Sequence, residues 1–446
     1  MPKKKTALTI EERLQQALVP AEEQPYKVPE NWVWVRLGAV CFFENGYAFK
    51  SDKFSSEKGI PVIRISNIKE NNVDLDDCIK TLEENIDEKF IVHQGDLLIA
   101  MSGATTGKNG VYMSANIAYL NQRVGNIKVK NKELLIEKFR NFYIANMQNE
   151  ILNTAYGGAQ PNISSQKMSV MTFPLPPLSE QQRIVERIEE LFAKLDEANE
   201  RLQEVADSFA VRKAAILHKA FTGELTKQWR CENGVSDESW EEKKLGEVVL
   251  LLSGQDFPPA KYNSDGNGIP YITGASNFDN THVLINRWTD EPSVIAQKND
   301  VLLVCKGSGY GKTIIADFKE AHIARQIMAL RVKEIIDNKL LLYYLRNKNR
   351  FIKEQGQGLI PGLSRKVILS LTINLPTLPE QHEIVRLIDD LLARERSAQQ
   401  VTEQALASID LMKKSILARA FRGELGTNKA SEASALELLK QVLAEN

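Results

Sequence analysis

Two turns rich in glycine and ending in lysine are the first places in this sequence where chemistry could sit. Gly103-Ala104-Thr105-Thr106-Gly107-Lys108 and Gly307-Ser308-Gly309-Tyr310-Gly311-Lys312-Thr313 each follow an apolar run. A nucleotide-gripping phosphate loop spaces its first glycine and its Gly-Lys pair so that successive backbone N–H groups wrap the phosphate. Both turns are one residue short of that spacing, and the first also lacks the hydroxyl after its lysine. ATP binding is therefore rejected. Each turn is read as presenting a lysine and backbone N–H groups to an anion such as a DNA phosphate, with a plain β-turn as the alternative.

Other chemistry is missing. No Asn/Asp-Pro-Pro-Tyr/Phe motif of an amino-methyltransferase occurs, and Asp256-Phe257-Pro258-Pro259 has the wrong order. No dinucleotide fingerprint follows a strand and opens a helix. No His-x-x-x-His or paired cysteines offer a metal site. His93, His218, His282, His322 and His382 are scattered and read as structural or surface residues. The sequence nominates no catalytic residue, no metal ligand and no cofactor site of its own, which favours a binding protein over an enzyme.

The elements that would position such turns are bounded by composition. The chain has 446 residues, 43% apolar and 26% charged, with a net charge of −1. That is globular composition with room for two to four domains. Near-neutral charge means that any contact with nucleic acid must come from local segregation of basic residues. Cys41, Cys78, Cys231 and Cys305 stand too far apart for a zinc site or a disulfide framework. With a polar stretch at Thr9 to Arg13 and no apolar run long enough to span a membrane, a soluble cytoplasmic protein is expected.

The chain is written twice. Leu175 to Val185 returns as Leu375 to Val385, and Lys213 to Leu225 (KAAILHKAFTGEL) returns as Lys413 to Leu425 (KKSILARAFRGEL), identical at eight of thirteen positions. Both matches keep an offset of 200. Upstream, Gly59 to Ile63 faces Gly268 to Ile272, and Gly95 to Ile99 faces Asn299 to Leu303, at less constant offsets. Each half is thus a variable module followed by a more constant segment.

The constant segments read as long helices. Glu180 to Thr222 and Glu380 to Arg422 contain neither Pro nor Gly, and either stretch would run about 65 Å as a helix. Ser179 stands at capping-box spacing before Gln182, Pro379 suits a first turn, and Gly223 and Gly423 mark the ends. The first seam reads Ile184, Ile188, Leu191, Leu195, Ala198, Leu202, Val205, Phe209. The second reads Ile384, Ile388, Leu391, Ala398, Ala405, Ile409, Met412, Ile416, interrupted by Glu395 and Thr402. This alternation of four and three predicts two helices packed on each other as an antiparallel coiled coil, with the two copies related by a pseudo-two-fold axis. Two independent amphipathic helices are the alternative.

Residues 31–173 and 240–373 read as mixed α/β modules, with strands at Pro61–Ile65, Asp96–Ala100, Ile269–Thr273 and Val301–Cys305 and helices at Leu134–Asn146 and Leu340–Ile352. The fold class is α+β. The expected plan is a tail (1–30), module one (31–173), helix one (174–226), a linker (227–239), module two (240–373), helix two (374–426) and a tail (427–446). Residues 101–132 carry Lys108, Arg123, Lys128, Lys130 and Lys132 with no acid, while Glu70 to Glu88 holds eight acids against one lysine. Lys298 to Lys333 carries seven basic residues and three acids. Such one-sided segments suit phosphate contact within a neutral molecule. For DNA contact the sequence nominates Lys108, Asn109 and Arg123 in the first module and Lys306, Lys312, Arg325 and Gln326 in the second. In the tails, Lys3-Lys4-Lys5 precedes a helical pattern at Ile10 to Leu18, and Ala435 to Leu443 is amphipathic. Docking on a partner subunit is expected for that last segment, with mutual packing of the termini as the alternative.

Pro174 to Gln182 and Leu375 to His382 at the start, with Ala220 to Leu225 and Ala420 to Leu425 at the end, resemble the DNA specificity subunit of type I restriction–modification systems. The resemblance spans about residues 30–426. Asn162-Ile163-Ser164, after Gly157 to Gln160, also resembles the family's module ending, whereas the second copy departs there, with Gly358 to Ser364. The resemblance implies two target recognition domains, each reading half of a bipartite site in double-stranded DNA, and helices that act as the spacer. It implies a subunit without catalysis. The partners would be two modification subunits, which use S-adenosylmethionine, and restriction subunits, which use ATP and Mg²⁺. The competing readings are a self-contained methyltransferase or nuclease with an unrecognised site, and a coiled-coil scaffold that carries protein-binding modules.

Overall fold

The computed structural model describes residues 9–82, 86–156, 161–279, 281–307, 309–355 and 362–445. Lys3 to Lys5, Ser308 and the segments Gly157–Gln160 and Gly358–Pro361 lie outside the described residues. Two compact units emerge: Met1–Arg201 with Leu406–Asn446, and Leu202–Ala405. The boundaries cut through both long helices, so each unit holds one module and part of each helix.

In the first unit, an antiparallel ribbon joins the start of the module to its end, pairing Val33–Arg36 with Thr172–Leu175. Two five-stranded sheets follow. One orders Cys41–Asn45, Val124–Val129, Leu97–Ala100, Asn109–Val111 and Asn71–Asn72. The other orders Phe54–Ser55, Lys80–Thr81, Ile60–Ile63, Ala118–Leu120 and Ile91–Val92. Strand Leu97–Ala100 is apolar throughout because both its faces are covered. Leu98 and Ala100 face a core shared with Ile63, Val92 and Leu120, while Leu97 and Ile99 face a larger core under the helices. The second unit repeats this plan: ribbon Glu241–Lys244 with Thr372–Leu375, then two four-stranded sheets among the described residues. Leu302 and Ala329 face one core, Leu303 and Leu330 the other.

The long helices run Leu178–Phe221 and Leu378–Ala420. The first starts earlier than the capping box at Ser179 implied, the backbone N–H groups of Glu180 and Gln181 already donating to the Pro177 carbonyl, whereas Pro379 lies in the first turn of the second, as expected. Both stop where expected, at Gly223 (φ +81°) and Gly423 (φ +74°), a conformation that costs little only for glycine.

The repeated Glu-Gln pair explains why the helix starts are the more constant part. Glu180 and Glu380 are each fully buried. Glu180 accepts from Trp32 Nε1 at 2.7 Å and Asn428 Nδ2 at 2.8 Å. Glu380 accepts from Thr226 Oγ1 and Arg230 Nη1, both at 2.7 Å. The adjacent Gln181 accepts from the Ile136 N–H and donates to the Leu134 and Pro176 carbonyls. Gln381 does the same with Asp337 N–H, Ile335 and Pro376. A buried glutamine that satisfies three backbone groups cannot be exchanged without orphaning them.

The helices pair antiparallel. In the first unit, Lys413 reaches Asp196 at 2.5 Å and lies over the Phe192 ring, while Phe421 packs edge-on against Phe139 and Tyr143. In the second, Arg212 pairs with Glu395 at 3.0 Å, Lys213 donates to Gln399 at 2.8 Å, and Phe221 packs on Tyr344. The seam departs from strict heptads. Ile184, Ile188, Phe209, Ile384, Ile388 and Ile409 are buried, and Leu191, Leu195, Leu202, Leu391 and Ile416 are half-buried, but Ala398, Val205 and Met412 are exposed. An α-helix drifts about 20° per heptad. Three heptads separate Ile184 from Val205 and four separate Ile384 from Met412, so Val205 and Met412 have turned off the seam by about 60° and 80°. Thr402 lies five whole turns from Ile384 and is buried instead.

The termini pack on each other. Helix Ile10–Ala17 lies against helix Ala435–Glu445, whose Ala435, Leu439 and Val442 enter the first unit's core. Arg183 holds the preceding segment through two hydrogen bonds to Glu432, at 2.9 and 2.7 Å. The apolar stripe of the C-terminal helix therefore has its home within this chain, against the expectation of partner docking. Among the described residues, no helix is long and apolar enough to cross a membrane.

Candidate nucleic-acid interface

The glycine-lysine turns are hairpin turns. The first joins Leu97–Ala100 to Asn109–Val111 and the second joins Val301–Val304 to Thr313–Ile315, both antiparallel pairs. A phosphate loop would open a helix; these open a strand. Gly103, Gly107, Gly307 and Gly311 have φ between +81° and +87°. The turns spend their amides internally: Gly107 N–H donates to Ala100 and Gly311 N–H to Val304, while Lys108 and Lys312 N–H donate to Thr105 and Gly309. The expected cradle of free backbone donors is thus absent at these positions, and the lysine side chains carry what remains.

Two further segments meet each turn. The Ser102–Asn162 and Lys306–Gly362 bridges bring the module ending to the hairpin. The segment before strand Val124–Val129 comes in through Met101 N–H to the Arg123 carbonyl, matched by Cys305 N–H to the Gln326 carbonyl. The result in the first module is a concavity of about 570 Å³ lined by Asn45, Ser102, Gln122, Arg123, Asn162 and Ser164 among others. In the second, about 330 Å³ is lined by Thr273, Ser276, Arg287, Lys306 and Gln326. Both are polar and carry cations at the rim, which is the chemistry that meets base edges and phosphates.

The structure sorts the basic runs. Lys128 pairs with Glu44 at 2.7 Å and Lys132 with Glu137 at 3.1 Å. Arg331 pairs with Asp300 at 2.8 Å and Arg325 with Asp256 at 2.5 Å. These cations are engaged internally. Arg123, Lys306 and Lys312 are exposed, Lys108 is half-buried, and none of the four has a carboxylate partner among the described residues. Asn109 is buried, its Nδ2 donating to Gly107 at 3.1 Å, so it braces the turn and does not face solvent. Gln326 is exposed beside Lys306. Sequence reasoning missed Asn45 and Arg287, which come from strands and loops far along the chain and carry no local signal, and Gln122, which directly precedes the nominated Arg123.

His322 is stacked on Phe257 at 4.0 Å. Its Nε2 donates to the Gln255 carbonyl at 2.9 Å and its Nδ1 accepts from Val294 N–H at 3.3 Å. Burial pushes its pKa below the ordinary histidine range. It is a structural residue.

The family of type I restriction modification DNA specificity domains matches residues 29–207 and 237–405. The chain belongs to that family. Members are the non-catalytic DNA-recognition subunits of their complexes, and the two modules are the target recognition domains. The reading as a self-contained enzyme is therefore set aside. The chain is 26% identical to the EcoBI specificity subunit of Escherichia coli, over 94% of this chain and 93% of that one. It is 25% identical to the putative MjaX specificity subunit of Methanocaldococcus jannaschii, over 86% and 92%. The fold matches the HsdS subunit of Thermoanaerobacter tengcongensis with a TM-score of 0.64 at 24% identity, covering 90% of this chain and all of that one. A structure described as addressing complex assembly and conformational transition of the type I system matches at a TM-score of 0.70, with the same identity and coverage.

Proposed function

We propose that this specificity subunit chooses the DNA that a type I complex modifies, each target recognition domain reading one half of a bipartite duplex site. The paired helices fix the gap between the halves and dock two modification subunits, to which restriction subunits are added. S-adenosylmethionine, ATP and Mg²⁺ belong to those partners, and the complex works in the cytoplasm. The observation that carries the reading is the recurrence, in both modules, of one hairpin turn met by the same strand entry and the same module ending, with a polar concavity beside it and cations without carboxylate partners at its rim.

Mapping modified adenines in host DNA tests it. Marks should fall in a split motif and vanish when this gene is deleted; persistence of the marks would reject the reading. Binding by the reconstituted complex should also weaken steeply with salt, by a slope of about −0.9 per phosphate contacted.

A further inference from the structure

Arg123 and Gln326 hold the same place in the two target recognition domains. Each gives its carbonyl to the first residue after the apolar hairpin strand, Met101 and Cys305, at 3.0 and 2.8 Å. Each directly precedes the strand that pairs with that hairpin, Val124 opposite Ala100 and Ile327 opposite Val304. Each lines its module's concavity. Both side chains are exposed, and neither has a hydrogen-bond partner among the described residues.

The flanking residues reverse order: Gln122-Arg123 in the first module, Arg325-Gln326 in the second. Arg325 does not replace Arg123, because its guanidinium is held by Asp256 at 2.5 Å and its backbone N–H donates to the same carboxylate. Gln326 lies instead against Gly274, where a Cβ would come within 2.7 Å of its Oε1. The missing side chain leaves the amide room at the floor of the concavity.

The two side chains speak to different bases. A guanidinium offers two parallel donors, matching the O6 and N7 acceptors of guanine in the major groove. A carboxamide offers one donor and one acceptor, matching N7 and the N6 amino group of adenine. Resting on the bipartite reading proposed above, we infer that Arg123 and Gln326 are matched base-reading residues, demanding guanine at one position of the first half-site and adenine at the corresponding position of the second.

The test uses the complex reconstituted with its modification subunits and a panel of duplexes in which each base pair of the mapped site is replaced in turn. Arg123→Gln should move the preference at one base pair of one half from G·C to A·T, by about ten- to a hundredfold, and leave the other half untouched. Gln326→Arg should do the reverse in the other half. Arg123→Ala and Gln326→Ala should flatten the preference at that single pair. Unchanged preference at every pair, or a uniform loss across all sequences as from a phosphate contact, would overturn the inference. A wild-type complex without any two-part preference would instead sink the proposed function, so the two failures are distinguishable.

Discussion

Replacing Arg230 by methionine would strip a buried charge of its partner. Arg230 has a side-chain exposure of 7% and Glu380 of 0%. One guanidinium nitrogen donates to Glu380 at 2.7 Å and to Thr226 at 3.1 Å, while Nε reaches Asp237 at 2.9 Å. Methionine keeps the aliphatic volume, so little packing is lost. What remains is a carboxylate with Thr226 as its one donor and with Oε2 unsatisfied. Breaking a buried pair from one side costs about 3–5 kcal/mol. The Asp237 contact adds little, because that carboxylate is 73% exposed. Urea unfolding of the full chain should show this loss in the second unit, and hydrogen exchange should quicken at residues 226–235 and 378–385. Adding Glu380→Gln should recover a large part of it by removing the stranded charge. A loss under about 1 kcal/mol, or a double variant no better than the single, would mean that water reaches the pair and the anchoring role is wrong.

In the first unit, burial holds the Glu180 carboxyl above its ordinary range, partly offset by the Trp32 and Asn428 hydrogen bonds. A carboxyl raised on folding adds stability below its unfolded pKa and loses it as pH rises through the folded value. The stability of wild type minus that of Glu180→Gln should therefore fall as pH rises above about 4.5 and then level off; a difference independent of pH contradicts this. Leu439→Ala should cost about 2–5 kcal/mol and loosen the C-terminal helix, seen as faster exchange in both terminal helices. An unaltered melting curve would show that helix to be free. Phe421→Ala should cost about 3–5 kcal/mol, with exchange rising first around Phe139 and Tyr143.

Most of the architecture was legible because it was stated twice. Two helices without Pro or Gly, each closed by a glycine, emerged from repetition and composition alone. The Glu-Gln pair was visible as a repeated motif, but its work was not, since Trp32, Asn428 and Arg230 meet it across long stretches of chain. The seam failed at Val205 and Met412 because a heptad count does not track a helix of 3.6 residues per turn. Charge counting overstated the interface for a related reason. Lys128, Lys132 and Arg331 sit in basic runs yet face carboxylates brought by other strands and helices. Asn109 looked available beside a lysine, but it is buried, its amide turned back on the Gly107 carbonyl.

The central claim is that each target recognition domain reads one half of the site independently. Exchanging residues 31–173 for the corresponding module of another family member, and then mapping modified adenines at single-molecule resolution, tests it most directly. The account predicts that one half of the split motif changes while the other half and the gap persist. Active complexes whose motif changes in both halves, or in neither, would contradict it.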